Sequence, residues 1–491
     1  METRAQWTQL FRSDYYRRFS EQDPWDSPHE ACGIFGVYAP QPIDTFSLAQ
    51  FGMFALQHRG QEACGLSVLR EGRINTFKQE GLVLDAFKSI SNIEAFQGNA
   101  AIGHIRYTTA GDDRTINFQP LYAQDYTGEP FLSLVHNGNL VNDHALRAAL
   151  DKEGINFLAT SDTEVILRLI QKHFSKGIEQ AITKATQAIR GAYSALLLTP
   201  KALVAFRDPK GIRPLCMGQI GADAYVFSSE TCGLDAVGAT YLRDLEPGEL
   251  VMVDESGMRS VRYADRPEHR ICAFEYIYFA RPDSRIEDRD VYESRVRGGE
   301  KLFEQSPVQA DVVIGVPDSG VPAAIGYARA SGIPFRPILV KNRYMSRSFI
   351  VPTQEMRERI VNLKLNPILS QVRGQRIVIL DDSIVRGTTS RRLVKILRQA
   401  GAREIHFRSA SPPIIAPCFL GIDTPDKKAL ISAHMNKEEL AQYLGADSLD
   451  FLQMESLVEI LGSKNHCFGC FTEKYPVAPE DQKNLLTDDD V

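Results

Sequence analysis

Two adjacent carboxylates, Asp381 and Asp382, end the apolar run Val378-Ile379-Leu380 and lead into Ser383-Ile384-Val385-Arg386-Gly387-Thr388-Thr389. A loop that leaves the carboxyl end of a strand and enters a helix offers free backbone N–H groups, a helix dipole and hydroxyls, all of which suit a phosphate. Two neighbouring carboxylates need compensation there. Ribose hydroxyls supply it, as does a hydrated magnesium ion carried on a pyrophosphate. The same residues also spell an ordinary polar turn into a capped helix. A companion loop, Pro317-Asp318-Ser319-Gly320, follows the apolar run from Asp311 to Val316 and taken alone is a simple turn. Between the two loops stand Lys341, Arg343, Arg347, Arg357, Arg359 and Lys364. Scattered basic residues of this kind read as a solvated face.

A second constellation is spread over the first third of the chain. Ala31-Cys32-Gly33-Ile34-Phe35-Gly36 would pass as a strand with a buried cysteine, but four further segments follow in order. These are His58-Arg59-Gly60-Gln61-Glu62, Gly103-His104-Ile105-Arg106-Tyr107, His136-Asn137-Gly138-Asn139-Leu140 and Ser161-Asp162-Thr163-Glu164. A third candidate is the Cys-x-x-Cys pair Cys467 and Cys470 near the carboxyl end, which fits metal binding, redox chemistry or accident. Cys64, Cys216 and Cys232 carry no motif and read as buried thiols.

The elements that must position these residues fall into two grammars. From Ala31, short β-rich runs are separated by breaks at His58-Arg59-Gly60 and His136-Asn137-Gly138. Helical stretches are expected from Thr163 to Phe174 and from Ile178 to Ile189, with strands at Ala192 to Leu198 and Tyr225 to Ser228. The region should close near Pro247-Gly248-Glu249. After Arg270 the pattern becomes strand, loop, helix, repeated: Asp311 to Val316 into a helix from Val321 to Ala330 stopped by Gly332, then Arg376 to Leu380 into a helix from Thr388 to Ala400 capped by Gly401, then a strand from Glu404 to Ser409. Continuous apolar strands alternating with helices imply a parallel sheet covered on both faces.

At 491 residues the chain is long enough for two or three domains, and 43% apolar with 24% charged residues is ordinary globular composition. The net charge of -6 gives no basic face for nucleic acid, although small anions need only a local basic site. No apolar run is long enough to cross a bilayer, and Met1 to Glu30 lacks a signal-peptide core, so a cytoplasmic chain without membrane partners is expected. Eight cysteines are too dilute for a disulfide scaffold.

The string from Val378 to Thr389 resembles the phosphoribosyltransferase signature, and the loop at Asp318 resembles the pyrophosphate loop of that family. The ordered set from Cys32 to Glu164 is similar to the class II glutamine amidotransferase domain, an N-terminal-nucleophile fold. Together they resemble the glutamine phosphoribosylpyrophosphate amidotransferases, in their cluster-bearing branch. The resemblance implies an α/β and α+β chain: stacked β-sheets between helices in an N-terminal-nucleophile glutaminase domain, then a type I phosphoribosyltransferase domain with a parallel sheet. Its expected limits are a leader over 1–31, a glutaminase domain over 32–258, a transferase domain with cluster ligands over 259–470 and a tail over 471–491.

In that reading Cys32 becomes the amino terminus, and its free α-amino group, with an ordinary pKa of about 8, acts as base for its own thiol. Asn137 and the backbone of Gly138 hold the oxyanion, Arg106 binds the glutamine carboxylate and Asp162 its ammonium, while His104 is structural. Asp381, Asp382, Ser383, Arg386, Gly387, Thr388 and Thr389 bind phosphoribosyl pyrophosphate together with Lys341 and Arg343. Ser319, Asp381 and Asp382 serve magnesium. Cys272, Cys418, Cys467 and Cys470 suit a [4Fe-4S] cluster, one ligand ahead of the transferase sheet and three behind it, and zinc would satisfy the same sulfurs. The implied reaction starts purine synthesis: glutamine, phosphoribosyl pyrophosphate and water give 5-phosphoribosylamine, pyrophosphate and glutamate. Ammonia is expected to pass internally, because free ammonia at neutral pH is mostly protonated. Purine nucleotides are expected to inhibit, and a homotetramer is expected. The rival reading is a transferase fold turned ligand sensor without turnover.

Overall fold

The computed structural model describes residues 32–107, 115–125, 127–342 and 365–479. Its contacts divide the chain into two compact units. One takes Pro28–Ser294 together with the later pieces Ala416–Pro425 and Val458–Val491; the other takes Arg295–Ile415 and Asp426–Leu457. Among the described residues, no helix is long and apolar enough to cross a membrane.

The first unit is built on two antiparallel sheets. Seven strands run in the order Thr240–Asp244, Cys216–Ile220, Ala224–Ser228, Gly33–Ile43, Gly98–Arg106, Ala63–Arg70 and Arg73–Glu80. Six more run in the order Gly257–Arg262, Glu249–Asp254, Ala202–Arg207, Gly191–Leu198, Pro130–Leu140 and Leu121–Gln124. The period-two alternation of a strand sorts their side chains into separate cores. Ile34 and Tyr38 join Leu196, Leu198, Leu203 and Val251 in a core shared by both sheets. Phe35 and Val37 turn the other way, to Met53 of the helix Thr45–Ala55. On the outer face of the second sheet, Leu197, Val204 and Phe206 pack with Val165, Leu169 and Ile182 of the helices Asp162–His173 and Ile178–Ala188. The result is four layers: helix, sheet, sheet, helix. A strand buried on both faces loses the in–out alternation, and Gly191–Leu198 is buried at every position, its one small polar residue, Ser194, donating to the Arg213 carbonyl at 3.0 Å.

Two expectations for this unit are corrected. His136-Asn137-Gly138 is not a break but the middle of the eleven-residue strand Pro130–Leu140, held extended by pairing with Gly191–Leu198. The region does not close at Pro247-Gly248-Glu249 either. The chain turns there and adds Glu249–Asp254 and Gly257–Arg262 to the six-stranded sheet.

The second unit carries a parallel sheet in the order Val312–Gly315, Arg376–Asp381, Glu404–Ser409 and Ser448–Phe451. The helix Val321–Ser331 ends at Gly332 in the left-handed region, and Thr388–Gln399 buries Leu393, Val394 and Leu397 against the strands. The strand Ser448–Phe451 and the helix Lys437–Leu444, which opens on a capping box between Asn436 and Glu439, extend the sheet beyond the sequence reading. Consequently Cys418 precedes the last parallel strand rather than following the sheet. Antiparallel sheets between helices, followed by a parallel sheet, agree with the fold class expected from the sequence.

Candidate functional site

Cys32 stands immediately before the strand Gly33–Ile43, whose pairing with Gly98–Arg106 sets Gly33 opposite Ile105 and brings Arg106 and Tyr107 alongside. The thiol is buried and donates to the Tyr107 carbonyl at 3.2 Å. Burial pushes its pKa up, and the Tyr107 backbone and the Arg106 charge oppose that shift. The Cys32 carbonyl is held by Arg59 Nε at 3.2 Å.

Arg59 is itself buried, and its charge is shared with Glu230, at 2.5 Å, and Glu275, at 2.8 and 2.9 Å. His58 reaches Glu230 at 2.7 Å and Arg213 reaches Glu275 at 2.7 Å. Burial works to raise both carboxyls, yet His58 and Arg59 hold Glu230 below the ordinary range, and Arg59 and Arg213 do the same for Glu275. Buried charges persist only when paired in this way.

Asn137 lies in the strand Pro130–Leu140, fully buried, and neither polar atom of its side chain has a hydrogen-bond partner among the described residues. An unpaired buried amide costs about 1–3 kcal/mol, so such a group calls for an explanation, and an incoming ligand atom supplies one. Gly138 beside it has φ +146°, and a Cβ there would sit 2.0 Å from the Ala192 carbonyl oxygen. Only glycine fits. Asp162 opens the helix Asp162–His173 and accepts from the Leu140 amide at 2.9 Å, with His136 Nδ1 at 3.9 Å. Arg106 donates to the Asn117 carbonyl at 2.7 Å, and the Asn117 side chain accepts from the amides of Thr160 and Ser161, at 2.8 and 3.3 Å. Gln119 brackets His136, accepting from its amide at 2.6 Å and donating to its carbonyl at 3.2 Å. These bonds tie Arg106, Asp162 and the Asn137-Gly138 strand into one assembly. His104 is buried, and that burial, with the Arg106 charge, pushes its pKa well down.

In the second unit the parallel pairing of Gly315 with Leu380 sets the two predicted loops side by side at the carboxyl ends of their strands. Gly320 lies so close that a Cβ would stand 2.4 Å from the Leu380 carbonyl oxygen. Ser319 donates to the Asp382 carboxylate, and Ser383 donates to its other oxygen at 2.7 Å. Asp381, Asp382 and Ser383 are all buried, and burial raises the pKa of Asp382 against these hydroxyls and Arg295. Gly387 forms the amino-terminal cap of Thr388–Gln399, so Thr388 and Thr389 fall in its first turn, at the end of the helix whose dipole favours an anion. Lys341 pairs with Asp318 at 2.7 Å at the rim of this site. Arg343, Arg347, Arg357, Arg359 and Lys364 lie outside the described residues.

The four cysteines singled out from the sequence all fall in the first unit. Cys272 pairs directly with Cys467 in a short parallel ladder, and the Cys470 carbonyl accepts from the Ala416 amide at 3.1 Å. The Cys418 sulfur accepts from the Leu420 amide at 3.3 Å. Burial raises all four thiols, Cys272 to about 12, and the charges of Cys272 and Cys418 push Cys467 and Cys470 further. Four free thiols, Cys272 and Cys467 buried and Cys418 and Cys470 partly so, with a backbone amide donating to the Cys418 sulfur, fit a thiolate-bound group. As they stand, no three His, Cys, Asp or Glu side chains among the described residues close on one point to hold a single ion.

Comparison with known proteins agrees with both halves. Residues 104–236 match a glutamine amidotransferase domain and residues 298–410 a phosphoribosyl transferase domain. The amidophosphoribosyltransferase of Synechocystis sp. is 46% identical over 464 residues, covering 93% of each chain. The chain belongs to the amidophosphoribosyltransferase family. The Bacillus subtilis amidophosphoribosyltransferase is 44% identical, over 91% of this chain and 94% of its own. A solved B. subtilis glutamine phosphoribosylpyrophosphate amidotransferase complexed with ADP and GMP superposes with a TM-score of 0.86 at 43% identity, covering 91% of this chain and 98% of that one. Within this amidophosphoribosyltransferase fold, the sequence reading gave no role to Arg59, Glu230, Glu275 and Arg213. Arg59 was visible in its motif, but its partners have no local signature.

Proposed function

We propose that the chain performs the amidophosphoribosyltransferase reaction, glutamine, phosphoribosyl pyrophosphate and water going to 5-phosphoribosylamine, pyrophosphate and glutamate, with the residue roles that follow. The observation that carries the assignment is the buried, unpartnered Asn137 side chain beside Gly138, in the same unit as the buried Cys32 thiol.

Removal of residues 1–31 frees the Cys32 α-amino group, which takes the thiol proton as sulfur attacks the glutamine amide carbon. The carbonyl oxygen becomes an oxyanion held by the Asn137 amide and the Gly138 N–H, which act where charge develops. The amide nitrogen takes a proton and leaves as ammonia, and water then releases glutamate from the thioester. Arg106 holds the substrate carboxylate as a fork and Asp162 its ammonium.

At the second site the carboxylates of Asp381 and Asp382 face the ribose hydroxyls, while Ser383, Arg386, Gly387, Thr388 and Thr389 cradle the 5-phosphate. Magnesium, held on the side of Ser319, Asp381 and Asp382, would neutralise the pyrophosphate; the oxygen-rich donor set suits it. Lys341 and Arg343 bear on the leaving pyrophosphate as ammonia attacks C1. A [4Fe-4S] cluster on Cys272, Cys418, Cys467 and Cys470 would tie these distant segments together as a structural group. Purine nucleotides as inhibitors, a homotetramer and a cytoplasmic setting complete the proposal.

The test compares Cys32→Ser with the unaltered enzyme on glutamine and on ammonium salts. Loss of glutamine-dependent pyrophosphate release with ammonia-dependent release retained supports it. Glutamine hydrolysis that survives the substitution would sink it.

A further inference from the structure

Gly138 is in close contact with backbone at two points. One contact is the Ala192 carbonyl; the other is Gly421, from a loop 283 positions further along the chain but within the same unit. Gly421 has φ +102°, and a Cβ built on it would lie 2.8 Å from the Gly138 Cα and 2.9 Å from its carbonyl carbon. The neighbouring Phe419 carbonyl accepts from the Asn139 side chain at 3.0 Å. The loop thus both presses on Gly138 and ties down the residue after it.

The loop is itself well held. Leu420 and Ile422 are buried, the Cys418 amide donates to Thr424 Oγ1 at 2.6 Å, and the Tyr475 hydroxyl donates to the Pro417 carbonyl. Phe419 meets the Tyr475 ring edge-on at 5.2 Å. None of these residues contacts the nucleophile in the hydrogen bonds of the site, and the glutaminase chemistry described above does not use them.

We infer that the loop carrying Phe419 and Gly421 is the positioning element of the oxyanion hole: it fixes the Gly138 Cα and the peptide that follows it, and through that Cα sets where the Gly138 N–H points. This deepens the reading of Cys32, Asn137 and Gly138 given above and rests on it. Oxyanion donors act only within a narrow range of distance, and a few tenths of an ångström at Gly138 separates a donor in place from one displaced. A side chain at position 421 has no room without moving that peptide. The same loop carries Cys418, so whatever holds Cys418 also holds the oxyanion hole.

The experiment uses the full, processed enzyme with Gly421→Ala and Asn139→Ala. For Gly421→Ala, glutamine-dependent kcat should fall about 10- to 100-fold, a part of the effect of losing one oxyanion donor. The KM for glutamine should stay within about twofold, because ground-state binding rests on other groups. Ammonia-dependent pyrophosphate release should be retained. The γ-aldehyde analogue of glutamine, whose adduct with the Cys32 thiol puts an oxygen in the hole, should bind more weakly by a similar factor, with glutamate binding unchanged. Asn139→Ala, which removes the tie without adding bulk, should shift the same two readouts in the same direction. If Gly421→Ala does not fold, Asn139→Ala decides. Unchanged glutamine kcat and aldehyde affinity in the folded variants, or equal loss of both activities, overturns the inference. Cys32→Ser run in parallel separates the failures: hydrolysis surviving there condemns the nucleophile, whereas hydrolysis lost there but intact in Gly421→Ala condemns only the loop.

Discussion

The Arg59 guanidinium joins the Cys32 carbonyl, 3.2 Å from Nε, to the Glu275 carboxylate, 2.8 and 2.9 Å from its terminal nitrogens. Glu275 follows Cys272 by three positions, so one buried cation links the backbone of Cys32 to the segment that carries Cys272.

The first prediction concerns that cation. Arg59→Ala leaves Glu230 and Glu275 buried with their shared partner gone, and should cost about 3–5 kcal/mol of stability. Denaturant unfolding of the variant against the unaltered chain measures it. A loss below about 1 kcal/mol, the value of an exposed pair, would mean that the network is solvated and has been misread.

A second prediction separates the two chemistries. Asp381→Asn and Asp382→Asn should each lower phosphoribosylamine synthesis at least tenfold, about 1.4 kcal/mol in the barrier, with glutamine and with ammonia alike. Basal glutamine hydrolysis should persist, since Cys32 lies in the other unit. Equal loss of basal hydrolysis would refute the division of labour.

The sequence revealed most where signals are local. The helix Val321–Ser331 and its Gly332 stop, the helix Thr388–Gln399 and the strand Arg376–Asp381 are written in continuous apolar runs and cap residues. His136-Asn137-Gly138 was misread because asparagine and glycine favour turns in isolation, and only pairing with Gly191–Leu198 holds them extended. The strand Ser448–Phe451 is too short for its alternation to register. Arg59 was legible as a motif residue but not as the centre of a charge network, since Glu230 and Glu275 stand 171 and 216 positions away. The acidic pair at Asp381 and Asp382 was the reverse case, a candidate site whose carboxylates and Ser383 lie in one strand and the loop that follows it.

The cysteines give a third prediction. Anaerobically purified protein should carry about four irons and four sulfides per chain, and Cys467→Ser should lower that content together with the thermal midpoint. Zinc bound in place of iron would remove the cluster and keep the site.

Acid titration gives a fourth. Glu287 bonds Arg207 at 2.8 Å, and although burial works to raise it, Arg207 and His269 hold its carboxyl at about 2. The unfolded value is about 4.3, so the folded pKa is the lower one. Its stabilisation is therefore full above about 4.3 and is lost as pH falls toward 2. The gap in unfolding free energy between the unaltered chain and Glu287→Gln should reach about 3 kcal/mol near pH 5 and narrow by pH 3. A gap that widens in acid contradicts the assignment.

The proposed function stands or falls with Cys32 as an amino-terminal nucleophile feeding ammonia to the phosphoribosyl site. Intact mass of the active enzyme after labelling with a thiol-alkylating glutamine analogue tests it in one measurement. The expected product is a chain that begins at Cys32, carries one label on that residue and has lost glutamine-dependent but not ammonia-dependent synthesis. Fully active enzyme that retains Met1 to Ala31, or a label on another cysteine, would contradict it.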